Sequence, residues 1–137
     1  MLRRIDAERL ALATVRSAHG SEQIEIAGER TIERPFGWLF FLTISDSVTA
    51  RRTPANFPRQ VIVNQYSSQI VASSIEHTPE QFIKIYEELL AQHEAHEGEW
   101  RQTASSSNQW KQWWDRRVAR KAAESGLYEI RGKEKAR

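Results

Sequence analysis

The spacing of apolar residues changes several times along the chain, and each change marks an element. Ile5, Leu12 and Val15, with Leu10 and several alanines between them, recur near helical spacing. They predict a helix over 5–19, stopped by Gly20. Strict alternation then begins in Gln23–Ala27, pauses at Gly28 and resumes in Arg30–Glu33, as expected of a half-buried strand with a bend or bulge. Pro35-Phe36-Gly37 reads as a turn. Trp38–Ile44 is the most apolar stretch and is rich in β-formers, so it predicts a central strand buried on both faces. Residues 45–60 lack periodicity and contain Pro54 and Pro58. Gln60–Asn64 and Gln69–Ile75 read as two further strands joined by a hairpin turn at Gln65–Ser68.

A second helix starts where Thr78, Pro79 and Gln81 form a capping box with proline at the first helical position. Phe82, Ile83, Tyr86, Leu89 and Leu90 give it one apolar stripe, which should lie on the sheet. Past Ala91 the pattern turns polar up to Gly98, and Ala104–Ser107 is flexible by composition. A third helix is expected from Ser107 or Asn108, through Trp110, Trp113, Trp114, Val118 and Ala122, to Gly126. Leu127–Ile130 is a short apolar patch. The expected architecture is α+β: an antiparallel sheet of about four strands packed with the N-terminal and central helices, plus a C-terminal helix.

Charge sharpens this division. Residues 1–97 carry ten basic and thirteen acidic groups, whereas 98–137 carry ten basic and five acidic, with four of the five tryptophans. We therefore expect an α+β domain over 1–98 and a basic, Trp-rich helical extension over 99–137. The chain has no cysteine, which removes disulfides, thiol catalysis and Cys-ligated metal sites. The N-terminal residues lack an apolar h-region, and no apolar run reaches the roughly 18 residues of a membrane span. A cytoplasmic, non-membrane protein is expected.

Candidate chemistry is sparse. His93 and His96 share a helical face, but their spacing is three rather than the four of a zinc-protease helix, and no third ligand is apparent. No Gly-x-Ser-x-Gly elbow and no Gly-rich phosphate loop occur. Neither an enzyme nor a resident cofactor or metal is expected. The tail is richer. Trp110, Trp113 and Trp114 sit at i, i+3 and i+4, on one helix face. Lys111, Arg116, Arg117, Arg120 and Lys121 surround the other sides. The tryptophans either dock the helix on the sheet or serve a protein interface, where Trp and Arg are enriched. Aromatics interleaved with cations also suit single-stranded nucleic acid, although the near-neutral chain and the absence of a recognised motif argue against it.

Thr31-Ile32-Glu33-Arg34-Pro35-Phe36-Gly37-Trp38-Leu39-Phe40-Phe41 resembles the E-x-P-x-G-W-x-F strand of the YrhB-like immunity-protein family. Pro58–Asn64, Gln69-Ile70 and Thr78–Glu87 are similar to that family's following strands and helix, so the resemblance covers roughly residues 5–90. The tail beyond Gly98 and the segments Pro54–Pro58 and Gln65–Ser68 depart from the family pattern. The resemblance implies a small α+β protein that binds and silences a cognate bacterial toxin, often one with a peptidase-like domain, and it implies no catalytic residues.

The reading that follows is a stoichiometric immunity protein, or antitoxin. Its expected toxin-binding anchors are Trp110, Trp113, Trp114 and Arg117, with Arg51, Arg52 and Phe57 as a second patch. Trp38, Phe40, Phe82 and Tyr86 are expected in the core. The alternatives are a basic Trp-rich nucleic-acid-binding module and a small metal-dependent hydrolase using His93 or His96. The sequence leaves a homodimer open.

Overall fold

Strand β3 (Gly37–Ile44) organises the molecule, and its side chains divide the core in two. In this computed structural model, which describes residues 2–19, 24–44, 59–74, 76–92 and 107–130, Trp38, Phe40 and Leu42 face one side of the sheet. Leu39 and Phe41 face the other. Alternation of side chains on a strand sends neighbours to opposite faces, so a stretch apolar at every position must be covered twice.

Around β3 lie β1 (Ile24–Ile26), β2 (Ile32–Arg34), β4 (Gln60–Asn64), β5 (Ile70–Ser73) and β6 (Leu127–Glu129). All pairings are antiparallel, in the order β1-β3-β4-β5-β6, with β2 also on β3. β1 and β2 are two pieces of one edge, pairing with opposite ends of β3 and separated by a single 3-10 turn at Gly28–Arg30. An interruption of this kind blunts an edge against unwanted pairing. Among the described residues the sheet thus has six strands where the sequence suggested about four. The sixth, β6, pairs with β5 through Val71↔Glu129, Ala72↔Tyr128 and Ser73↔Leu127.

Helix α1 (Arg4–His19) covers the Trp38 face. Its fully buried stripe is Ala7, Ala11 and Val15, and Ile5 is 51% exposed. Ile5, one of the apolar residues whose spacing predicts the helix, stays outside, and small residues at i, i+4 and i+8 fill the contact against the bulky Trp38 and Phe40. Arg16 is half-buried and donates from Nε and Nη2 to the Ile24 carbonyl, at 3.2 and 2.8 Å. It ties the end of α1 to the edge strand.

Helix α2 (Pro79–Gln92) covers the opposite face. Its capping box forms both bonds: Thr78 N–H to Gln81 Oε1 at 3.0 Å, and Gln81 N–H to Thr78 Oγ1 at 3.2 Å. The segments Ser107–Trp113, Trp114–Val118 and Ala119–Glu124 form one continuous helix, α3, whose middle segment is a π-turn. α3 packs on the same face as α2, and β6 follows directly. The division expected at residue 98 therefore does not separate a domain from an appendage. The described part of the tail supplies core side chains and a strand.

Gly37 (φ +147°) holds a backbone conformation that L side chains rarely adopt. A Cβ there would overlap the Val63 carbonyl oxygen and come within 2.9 Å of Gln65 N. Only glycine allows β3 to enter its pairing with β4 this closely.

Candidate interaction surface on the C-terminal helix

The inner face of α3 is aromatic. Trp110, Trp113 and Trp114 are 3%, 8% and 3% exposed, and Val118 and Ala122 are buried beyond them. Trp110 lies 5.1 Å from Trp113 and 6.3 Å from Trp114 between ring centroids. Trp114 continues to Tyr86 of α2 at 6.2 Å, and Tyr86 meets Phe36 edge-on at 5.0 Å. The rings form one chain that locks α3 to α2 and to the turn before β3. Expected as toxin-binding anchors, the three tryptophans are instead parts of the core, and a partner surface has no access to their faces.

The π-turn explains how a row spaced by four can stay inside. In a regular α-helix, residues four apart advance by about 40° around the axis. The row Trp110–Trp114–Val118–Ala122 would wander by roughly 120° from first to last. Closing one turn as i→i+5, with Ala119 N–H donating to the Trp114 carbonyl, takes up an extra residue and returns Val118 and Ala122 to the sheet.

Tyr86 also has a polar end. Its hydroxyl accepts from Asn64 Nδ2 at 3.2 Å and donates to Gln69 Oε1 at 2.9 Å. Gln69 Nε2 then donates to Glu129 Oε2 at 2.9 Å. Asn64 Oδ1 accepts from the backbone N–H groups of Tyr66 and Ser67, which sets the hairpin turn. Burial pushes the Tyr86 phenol well above its usual pKa. The hydrogen bond from Asn64 opposes the shift, and the charge of Glu129 adds to it. The phenol is neutral, and a buried polar chain with each member satisfied specifies one register. Sequence reading missed Asn64, Gln69 and Glu129, since polar residues at strand ends look like ordinary turn flanks.

The outer face of α3 is charged. Lys111, Asp115, Arg116, Arg117, Arg120, Lys121 and Glu124 are all exposed. Glu124 pairs with Lys121 at 3.5 Å and with Arg120 at 4.0 Å, both as exposed contacts. Among the described residues Lys111, Arg116 and Arg117 enter no ion pair. Arg116 and Arg117 project from the π-turn itself, between buried Trp114 and Val118.

The remaining expected residues fall in two groups. Trp38, Phe40, Phe82 and Tyr86 are buried at 6%, 0%, 1% and 0% exposure. Arg51, Arg52 and Phe57, and the histidines His93 and His96, lie outside the described residues. Among the described residues no three His, Cys, Asp or Glu side chains converge as metal ligands, and no helix is long and apolar enough to cross a membrane. No known family, curated protein or solved structure matches the chain.

Proposed function

We propose that the protein is a bacterial immunity protein, a stoichiometric inhibitor that binds a cognate protein toxin and blocks it without catalysis. Its place of action would be the cytoplasm, where such a toxin must be silenced. The observation that carries this reading is the division of α3. Its aromatic face is locked into the core, and its opposite face presents Lys111, Arg116 and Arg117 without ion-pair partners among the described residues. An occluding inhibitor needs a preorganised surface with a few anchors, and a helix held by three buried tryptophans loses little freedom on binding. The resemblance of Thr31–Phe41 to the immunity family supports the same reading.

The nucleic-acid alternative is weaker. Non-specific single-strand binding uses exposed rings as stacking platforms, and the rings of Trp110, Trp113 and Trp114 are covered. The test is to express the product of each neighbouring gene in a sensitive host, with and without the protein. We expect restored growth and a one-to-one complex on size-exclusion chromatography. Equal killing in both cultures refutes the reading.

A further inference from the structure

We infer that two arginines of α1, Arg4 and Arg16, form a clasp that closes the β1 edge of the sheet against strand addition by a second copy of this chain. The direction of the β1 backbone comes first. Ala27 N–H donates to the Phe41 carbonyl, which makes those two residues a hydrogen-bonded pair. Antiparallel pairs alternate between bonded and non-bonded. Glu25 lies opposite Thr43 and Ile26 opposite Leu42. The backbone groups of Glu25 therefore turn toward β3, and those of Ile24 and Ile26 turn away from it. Outward groups of this kind are what an added strand would bond.

The arginines meet this edge from α1. Arg16 donates from Nε and Nη2 to the Ile24 carbonyl, at 3.2 and 2.8 Å. A carbonyl oxygen has two lone pairs, and two donors on one oxygen leave it nothing for another strand. Arg4 donates from Nη2 to the Gly28 carbonyl at 2.7 Å, at the 3-10 turn between β1 and β2, while its Nε holds Glu8 at 3.3 Å. One helix thus occupies a carbonyl at each end of the β1 edge.

The positions of those carbonyls point to a second copy as the strand held off. Two β1 edges related by a two-fold axis at Ile26 would pair antiparallel, with the Ile26 backbones exchanging both bonds. Glu25 would then lie opposite Ala27 of the other copy, so like charges do not meet. Ile24 would lie opposite Gly28, and the carbonyls of these two residues are the ones the arginines occupy. The other edge segments are closed by other means. β2 carries exposed Glu33 and Arg34, charges that discourage pairing. At the far edge, Leu127 of β6 is buried. β1 is Ile-Glu-Ile, a sequence that favours pairing by its β-branched residues, and it is the segment where the arginines stand.

The experiment follows the mass of the full chain by analytical ultracentrifugation across a concentration series. R4Q/R16M removes the clasp: methionine keeps an apolar stem without a donor, and glutamine is too short to reach Gly28. We expect its mass to shift above the parent's, to a dimer or larger, as concentration rises, with far-UV circular dichroism that matches the parent. The charge-matched control R3Q/R9M, on exposed positions of the same helix, should keep the parent's mass. A third variant separates edge pairing from a general loss of stability. I26P removes an N–H that points outward and that β3 does not use, a place where edge strands tolerate proline. R4Q/R16M/I26P should therefore return to the parent's mass. Association that the proline leaves unchanged or deepens overturns the inference in favour of general destabilisation. The parent's mass for R4Q/R16M at every concentration overturns it, as does an equal shift in the control. Loss of the circular dichroism signal in R4Q/R16M overturns it too, because the arginines would then hold the fold together rather than guard its edge.

Discussion

Trp114→Ala distinguishes a helix that completes the core from one that reaches for a partner. Trp114 is 3% exposed and touches both Tyr86 and Trp110. Removing a buried tryptophan down to alanine costs about 3–5 kcal/mol, from lost transfer energy and the cavity left behind. That is a large share of the roughly 5–15 kcal/mol that holds a domain folded. For 137 residues, an unfolding entropy of about 2.1 cal/mol/K per residue converts the loss into a Tm lowered by roughly 10–17 °C. Arg117→Ala, on the exposed side of the same helix, should stay within about 0.5 kcal/mol of the parent. The assay is urea denaturation followed by tryptophan fluorescence and far-UV circular dichroism, with thermal melts on the same samples. A Trp114→Ala protein less than about 1 kcal/mol weaker than the parent, but unable to bind its partner, would refute the assignment of the tryptophans to the core.

Gly37→Ala should cost about 1–3 kcal/mol from backbone strain alone, with more from overlap with Val63; a denaturation midpoint equal to the parent's would contradict the geometry at the β3–β4 junction. Tyr86→Phe leaves Asn64 Nδ2 and Gln69 Oε1 without their hydroxyl and should cost about 1–3 kcal/mol; a loss under about 0.5 kcal/mol would mean the polar chain is not a stabilising unit. Because burial raises the folded phenol's pKa above the usual value of about 10, Tyr86 makes stability fall as pH climbs beyond about 10, where the unfolded phenol ionises first, and has no such effect below it. Urea midpoints at pH 8 and 10.5 should therefore diverge in the parent and diverge less in Tyr86→Phe, with half-buried Tyr128, also raised by desolvation, keeping part of the difference. Deleting Asp115 should leave α3 folded as a regular helix, with its circular dichroism retained. Deleting Gln112 instead should destabilise the protein strongly, and the opposite ranking of the two deletions would overturn the register account of the π-turn.

The elements most legible in the sequence were those with a local cause. Thr78, Pro79 and Gln81 announced α2 because a capping box is decided within four residues. Trp38–Leu42 announced a doubly covered strand because both alternating sets are apolar. The stripe of α1 was harder: alanine carries little hydrophobic signal, so Ala7 and Ala11 gave way to the larger Ile5, which the fold leaves outside. β6 was invisible as a strand because three residues have no period of their own; Leu127–Glu129 become a strand only when α3 returns them to β5. The boundary at residue 98 followed charge and composition, but cohesion is decided by burial, and Trp110, Trp113 and Trp114 are buried. The basic residues of the candidate site could be counted in the sequence. Which of them lack acidic neighbours depends on where Glu124 and Asp115 fall around a helix that changes its turn.

That change of turn links stability to the proposed function. A row of apolar residues spaced by four cannot remain on one face of an ideal α-helix, because each step advances about 40° around the axis. The row Trp110–Trp114–Val118–Ala122 keeps that spacing and absorbs the drift in a π-turn, so Trp114 and Val118 both stay packed while Asp115, Arg116 and Arg117 between them face solvent. Here any movement of the two arginines must disturb Trp114 or Val118, and through Trp114 the chain of rings to Tyr86. Substitutions on the outer face should therefore alter partner choice at almost no cost in stability, while substitutions one residue inward should alter both.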